Sequence, residues 1–196
     1  MRVDTDERNE IAAAMRRGLQ QSGLTQAAFA VRLGTSPTRL STYLSGKTVP
    51  SAAIYLRALR LGAAFDRVHR QGLTTPDATA AAVDQTLNAG DEDFALRLVL
   101  QARDDVRGGA TQPADLRQVW AHRARRITDE RFDTLLRAII AHELGDEAPA
   151  WAKDARLDRD WVVADPFRDE DSIRAQTPDW LAHARIFIAQ RGLVTV

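Results

Sequence analysis

Two short segments joined by a turn that contains a glycine constrain this chain more than any other feature. The first, residues 26–33, follows a threonine that can cap a helix, and its apolar side chains fall on one helical face. Gly34 permits a sharp turn, and Ser36 can cap the second segment. Pro37 then occupies the first helical turn, where its missing amide hydrogen costs nothing. The pattern predicts two helices joined by a tight turn.

Helices are also predicted on both sides of this pair. In the first, apolar residues recur at four-residue steps and Gly23 marks the end. After Pro50-Ser51 a further helix shows helical spacing at Ile54, Ala58, Leu61 and Phe65. Residues 1–70 are therefore expected to form a bundle of four or five helices. A short helix, a glycine turn and a second helix are the parts of a helix-turn-helix motif, which makes DNA the first partner to consider.

The distribution of charge is consistent with such a partner. The formal net charge is zero, yet residues 1–70 hold 11 Lys and Arg against 5 Asp and Glu, and residues 71–196 hold 16 against 22. Positive charge concentrated in one part of a chain attracts phosphate through counterion release. The bias alone fits an ordinary solvated surface equally well. The nine basic residues between positions 16 and 70 are Arg16, Arg17, Arg32, Arg39, Lys47, Arg57, Arg60, Arg67 and Arg70.

The N-terminal residues resemble the Cro/phage-repressor (XRE) family of helix-turn-helix domains over residues 8–66. The resemblance is carried by Leu24-Thr25-Gln26, Phe29-Ala30, Leu33-Gly34, Ser36, Leu40-Ser41, Tyr43, Gly46-Lys47, Pro50-Ser51 and Leu61-Gly62. It implies a lambda-repressor-like domain that binds double-stranded DNA and belongs to a transcriptional regulator. The inferred regulator is a repressor. It is expected to be a homodimer, because two recognition helices about 34 Å apart match a palindromic operator, and dimerisation is assigned to the C-terminal domain.

The resemblance also assigns DNA-binding roles to individual residues. The eight candidates are Gln26, Ser36, Pro37, Thr38, Arg39, Ser41, Thr42 and Lys47. In the family Gln26 lies against the DNA backbone and can brace the recognition helix, while residues 37–39 and Thr42 face the major groove with Ser41 at the margin. Arg39 is favoured for reading guanine, although it could equally hold a phosphate. Lys47 is expected to contact phosphate.

The C-terminal part is expected to be a second helical domain, so that the fold class is all-α with domains at 1–70 and 71–196. Helices are predicted over residues 76–89, 92–107, 114–125, 129–144 and 178–190. The second of these is expected to be central to the core through Phe94, Leu96, Leu98, Val99 and Leu100, and residues 161–163 are expected to be extended. The four tryptophans at 120, 151, 161 and 180 are interpreted as core residues, with a ligand pocket as the alternative.

Three phrases of the C-terminal part resemble regions that follow helix-turn-helix domains in actinobacterial regulators, some of them encoded beside nucleotidyltransferase-like toxins. These are residues 91–98, 149–151 and 185–188. The resemblance supports an alternative function as an antitoxin that represses its own operon and covers a toxin's basic active site. A cognate toxin or a small-molecule effector is thus a candidate partner of the C-terminal domain.

Enzymatic and metal sites are not predicted. His142-Glu143 begins like a zinc protease helix, but residue 146 is aspartate where the second histidine is needed. The acidic triplets at 91–93 and 169–171 sit where helices begin and suit the helix dipole. The cluster Arg123, Arg125 and Arg126 is expected to pair with acidic residues at 129, 130 and 133, rather than to contact nucleic acid. We expect no cofactor.

The location expected for the protein is the cytoplasm, in association with the nucleoid. The chain has no cysteine and therefore no disulfide. No apolar run approaches the roughly 20 residues that cross a bilayer, and the N-terminus lacks the apolar stretch of a signal peptide. No membrane partner is expected.

Overall fold

In a computed structural model the chain is predominantly helical, and the structure describes residues 4–108, 113–123 and 125–194. The elements are, in order, α1 (Thr5–Ser22), α2 (Gln26–Leu33), α3 (Pro37–Leu44), α4 (Ala52–Arg70), α5 (Pro76–Asn88), α6 (Glu92–Gly108), α7 (Pro113–Trp120), α8 (Glu130–Leu144), β1 (Trp161–Val162), α9 (Glu170–Ala175), α10 (Asp179–His183) and β2 (Ile186–Phe187). Short 3₁₀ helices cover Gly145–Glu147 and Gln190–Leu193. The predicted all-α fold class is confirmed, with the addition of one pair of two-residue strands.

The chain divides into two compact units. The described residues of the first unit are 4–72 and 113–119, so it contains α1 to α4 and all of α7 except its last residue. The second unit contains the described residues between 73 and 108 and from 120 onward. Thus α7 belongs to the first unit although the chain on both sides of it belongs to the second.

The first unit folds as its local signals predict. Side-chain oxygens of Thr25, Ser36 and Ser51 accept hydrogen bonds from backbone amides in the first turns of α2, α3 and α4. Gly34 adopts φ of 74° and ends α2. The fully buried side chains at the centre of this unit are Met15, Phe29, Leu33, Leu40 and Phe65. Leu44, the last residue of α3, is half-buried.

Helices α1 and α4 approach each other closely at two glycines. A Cβ atom at position 62 would lie 2.6 Å from the Cα of Gly18, and a Cβ at position 18 would lie 2.8 Å from the carbonyl oxygen of Ala58. Both distances are shorter than Cβ contacts in proteins allow. Glycine at 18 and 62 therefore lets the two helix backbones touch.

The second unit is built around α6 and α8. The buried side chains of α8 include Phe132, Leu135, Leu136, Ile139 and Ile140, as its apolar spacing predicts. The buried apolar residues of α6 are Ala95, Val99, Leu100 and Ala102. The expectation that this helix lies in the core is confirmed at Val99 and Leu100. It is wrong at Phe94, which is 48% exposed, while Leu96 and Leu98 are half-buried.

The prediction of one helix over residues 178–190 is wrong. Helix α10 ends at His183, and Arg185 adopts φ of 61°, a left-handed conformation that a continuing α-helix cannot contain. The chain then forms β2, which pairs in parallel with β1, Trp161 opposite Ile186. The prediction that residues 161–163 are extended is therefore confirmed at Trp161–Val162. The strand that pairs with them, β2, lies in the segment that was expected to be helical.

Helix α7 is shorter than the sequence pattern predicts. It spans Pro113–Trp120, whereas the prediction ran from 114 to 125. Arg125 instead lies beyond the helix and its side chain pairs with Asp84, at 2.7 Å between Nη2 and Oδ2. That interaction with α5 takes the place of a further helical turn. Residue 124 lies outside the described residues.

The carboxylate of Asp84 makes stability depend on pH. Burial raises the pKa of Asp84, but hydrogen bonds from Arg125 and from the Thr128 amide outweigh this and hold the pKa below its ordinary value. A depressed folded-state pKa stabilises the protein above the unfolded-state pKa, and this contribution is lost as pH falls through the folded-state pKa. We expect Asp84→Asn to show a weaker loss of urea resistance than the wild type as pH falls below about 4. Urea midpoints measured from pH 6 downward test this, and parallel curves for the two proteins would contradict it.

Among the described residues, no helix combines the length and the apolar character that crossing a membrane requires.

Candidate nucleic-acid interface

The turn between α2 and α3 presents α3 with one face buried and one face exposed. The Gly34 amide donates to the carbonyl oxygens of Ala30 and Val31, which closes α2. Leu40 and Tyr43 point into the core. The opposite face of α3 therefore faces solvent, as a recognition helix requires.

The structure brings most of the eight predicted DNA-binding residues together on this face and at its ends. The exposed residues among them are Gln26, Ser36, Pro37, Thr38, Arg39, Ser41 and Lys47. Thr42 is half-buried, and its hydroxyl donates to the carbonyl oxygen of Arg39 at 2.8 Å. The Ser36 hydroxyl is occupied as the cap of α3 and accepts from the Arg39 amide at 3.2 Å. These two hydroxyls therefore form hydrogen bonds with the backbone of α3 and also lie near its outer face.

Gln26 connects the two helices of the motif. Its Nε2 donates to the carbonyl oxygen of Pro37 at 3.3 Å, so the first residue of α2 holds the first turn of α3. This carbonyl lies at the N-terminus of the recognition helix. The contact matches the bracing role that the resemblance implies for Gln26, and the side chain is also exposed.

Arg39 lies on α3 and Lys47 lies three residues beyond its end. Both are exposed, and neither side chain has a hydrogen-bond or ion-pair partner within the part of the chain that the structure describes. A guanidinium on the outer face of α3 can donate two hydrogen bonds to one base edge. An ammonium group just beyond the helix can contact a phosphate as a point charge.

Other arginines of the first unit have intramolecular partners. Arg67 forms a two-point ion pair with Asp115, and Arg70 pairs with Asp66 at 2.5 Å. The hydrogen bond to Asp115 raises the pKa of Arg67 above its ordinary value, so this guanidinium stays charged throughout the physiological range. The paired carboxylates offset the charges of Arg67 and Arg70. These two arginines therefore contribute less to the attraction of DNA phosphates than unpaired arginines would.

Two arginines hold the ends of the motif helices, a role that sequence reasoning missed. Arg16 Nη1 donates to the carbonyl oxygen of Leu44 at 2.5 Å, and Arg57 Nη1 donates to that of Leu33 at 3.3 Å. Terminal carbonyls lack partners inside a helix, and a cation is favoured at that end of the dipole. The sequence pattern does not predict either contact, because the paired residues lie 28 and 24 positions apart in the chain.

The second unit contains the residues that were considered for catalysis or metal binding. The His142 ring stacks on Trp180 with centroids 4.3 Å apart, and Glu143 pairs with Arg107 at 2.6 Å. The carboxylates of Asp91 and Asp169 accept hydrogen bonds from the Phe94 and Ser172 amides at the starts of α6 and α9, where the helix dipole favours negative charge. No group of three or more His, Asp or Glu residues suited to a metal ion occurs within the described ranges.

Two arginines of the cluster at residues 123–126 pair with carboxylates of the second unit. Arg123 pairs with Asp133 at 2.5 Å, as predicted. Arg125 pairs with Asp84, so the expectation that its partner lies at 129, 130 or 133 is wrong. The chain folds back so that α5, rather than the start of α8, supplies the carboxylate.

The tryptophans have different environments. Trp120 is fully buried, whereas Trp151, Trp161 and Trp180 are half-buried. Trp161 lines a cavity of about 250 Å³ together with Leu96, Arg131 and Phe132. In that cavity Arg131 pairs with Asp129 and Glu92, which raises its pKa, and its guanidinium lies 5.3 Å from the centroid of the Trp161 ring. The core interpretation fits Trp120 best, and a small-molecule effector remains a prediction.

Residues 10–73 match a family model described as a helix-turn-helix domain. The match spans α2, α3 and α4 and most of α1, so this part of the chain is a helix-turn-helix domain. Domains of this class bind double-stranded DNA through the second helix of the motif, which is α3 here. No curated protein and no solved structure matches the chain.

Proposed function

We propose that this protein is a sequence-specific transcriptional regulator of the Cro/phage-repressor type that represses its target genes as a homodimer on a palindromic operator. The observation that carries the proposal is the outer face of α3, where Arg39 is exposed and has no partner among the described residues. The chain is proposed to act by binding and not by catalysis.

The proposed mechanism assigns different tasks to the exposed groups. Arg39 reads a guanine through O6 and N7, with Thr38 and Ser41 beside it on the same surface. Lys47 contacts phosphate and contributes to affinity without reading sequence. Gln26 keeps α3 in place through Pro37 and lies where the DNA backbone passes. Two copies spaced by one helical turn of DNA would read the two halves of the operator.

Replacing Arg39 and Lys47 separately should distinguish these tasks. We expect Arg39→Ala to weaken binding to the preferred sequence by about 1–3 kcal/mol and random DNA far less. Lys47→Ala should weaken both alike and reduce the slope of log affinity against log salt by about 1. The measurement is selection of bound fragments from random and own-genome DNA at fixed salt, followed by titrations over a salt series.

Arg97→Ala is a matched control, since Arg97 is an exposed arginine on α6 in the second unit. Its removal should change neither sequence preference nor salt slope. Enrichment of a palindrome that Arg39→Ala no longer selects would support a dimeric regulator. Equal losses for Arg39→Ala and Lys47→Ala on both kinds of DNA would contradict the assigned roles.

The antitoxin function is a second candidate, favoured by the exposed acidic residues of the second unit at 91–93 and 169–171. An acidic surface of this kind suits a partner with a basic active site. Own-genome fragments that include the promoter of an adjacent partner gene would favour this form of the proposal.

A further inference from the structure

Helix α7 is docked on α4 through an ion pair in which the Asp115 side chain is nearly buried and the Arg67 side chain is 37% exposed. Both oxygens of Asp115 accept from Arg67, at 2.5 Å from Nε and 2.6 Å from Nη2, and the Asp115 side chain is 9% exposed. Leu116 and Val119 are buried on the same helix. Two-point pairing of a guanidinium with a carboxylate defines orientation as well as distance. The position of α7 within the first unit is therefore specified.

A second contact joins α7 to α2. Arg32 Nη1 donates to the carbonyl oxygen of Val119 at 2.8 Å, and the Arg32 guanidinium lies 5.1 Å from the centroid of the Phe65 ring. The Val119 carbonyl belongs to the last turn of α7, where carbonyls have no partner inside the helix. The C-terminal end of α2 is thus held by the C-terminal end of α7.

Helix α2 has only eight residues, and its two ends have different partners. At the N-terminal end Gln26 holds Pro37 of the recognition helix, and near the C-terminal end Arg32 holds α7. A short helix moves as one body, so a change at one end displaces the other. The contacts run in series from α7 through α2 to α3.

We propose that α7 positions the recognition helix, with Asp115 and Arg32 as the positioning residues. The inference rests on the proposed DNA-binding function and adds a means of regulating it. Because the chain on both sides of α7 belongs to the second unit, the C-terminal half of the sequence supplies a part that the DNA-binding unit needs. Any event that withdraws α7 weakens sequence-specific DNA binding.

The test uses the full-length protein and Asp115→Asn, which keeps the shape of the side chain and removes its charge. Its matched control is Asp84→Asn, which removes a similarly buried carboxylate paired with an arginine in the second unit. We expect Asp115→Asn to lose affinity for the selected sequence by about tenfold or more, a usual size for coupling between sites. Affinity for random DNA should fall much less, because a displaced α3 loses base contacts before phosphate contacts.

Hydrogen exchange provides a readout that does not require DNA. In Asp115→Asn, exchange of amides in α2 and α3 should become faster, whereas in Asp84→Asn these amides should exchange at the wild-type rate. A uniform loss of folded protein would reduce specific and random binding equally. Arg67→Lys keeps the charge and one hydrogen bond, so it should remain folded and show the same effects at smaller size.

Unchanged specific binding in Asp115→Asn and Arg67→Lys, with faster exchange confined to α7, would overturn the inference. Failure of the wild type to prefer any sequence would instead refute the proposed function. The exchange result in α2 and α3 would still decide whether α7 positions these helices.

Discussion

Alanine in place of Asp133 is expected to lower the free energy of unfolding by about 3–5 kcal/mol, the usual cost of removing one partner of a buried ion pair. Asp133 Oδ1 lies 2.5 Å from Arg123 Nη1, and the side chains are 8% and 3% exposed. The same oxygen accepts from the Ile127 amide at 3.0 Å. The substitution leaves a buried guanidinium without its counter-charge and an amide without its acceptor.

Urea unfolding followed by tryptophan fluorescence would measure this loss. All four tryptophans lie in the second unit, as Asp133 does, and the Arg123 guanidinium lies 4.6 Å from the centroid of the Trp151 ring. Asp160→Asn is the control, because Asp160 pairs with Arg174 while both side chains are more than a third exposed. Exposed pairs contribute about 0–1 kcal/mol. Similar losses for the two variants would show that burial does not set the strength of the Asp133 pair.

The helix-turn-helix region could be predicted from the sequence because its signals are local. Thr25, Ser36 and Gly34 specify where α2 and α3 begin and where α2 ends, and each acts within four residues of itself. The resemblance to a known family then indicated the outer face of α3. The resemblance implied that Gln26 braces α3, which agrees with its contact with Pro37. It gave no indication of the contact between Arg16 and Leu44.

The errors in the C-terminal part have a common cause. Residues 184–190 have helix-compatible composition, but pairing of Ile186 with Trp161 across 25 positions determines their conformation. Asp115 similarly has its partner Arg67 48 positions away. Local propensity is a weak indicator where tertiary contacts decide, and one sequence carries no record of which distant residues meet.

Glycine inside a helix is one local signal of a distant contact. Glycine is about 1 kcal/mol less favourable than alanine in a helix interior. Gly18 and Gly62 both occupy interior positions, of α1 and α4 respectively, and the structure places them against each other. The sequence thus contained evidence that two helices meet closely, but not evidence that these two do.

Gly62→Ala is accordingly expected to destabilise the first unit by about 2 kcal/mol, within the range for overpacking a core. The added Cβ would lie 2.6 Å from the Gly18 Cα and 2.7 Å from the Gly18 carbonyl oxygen. These are backbone atoms of a packed helix, so they move only if α1 moves. Alanine would by itself favour the helix by about 1 kcal/mol, and the steric cost must exceed that gain for the predicted sign to hold.

Gly108→Ala provides the matched control, because Gly108 also lies in a helix and no described atom is within 4 Å of its added Cβ. That variant should be neutral or slightly more stable. Urea unfolding followed by far-ultraviolet circular dichroism would compare the two, with hydrogen exchange of α1 and α4 amides locating the effect. Since α4 also carries Arg67 and Phe65, which contact α7 and Arg32, Gly62→Ala should reduce DNA affinity along with stability. An equal gain in stability for Gly62→Ala and Gly108→Ala would contradict this prediction. It would mean that α1 and α4 can move apart without a cost in free energy, and that their close contact does not hold the motif helices in place.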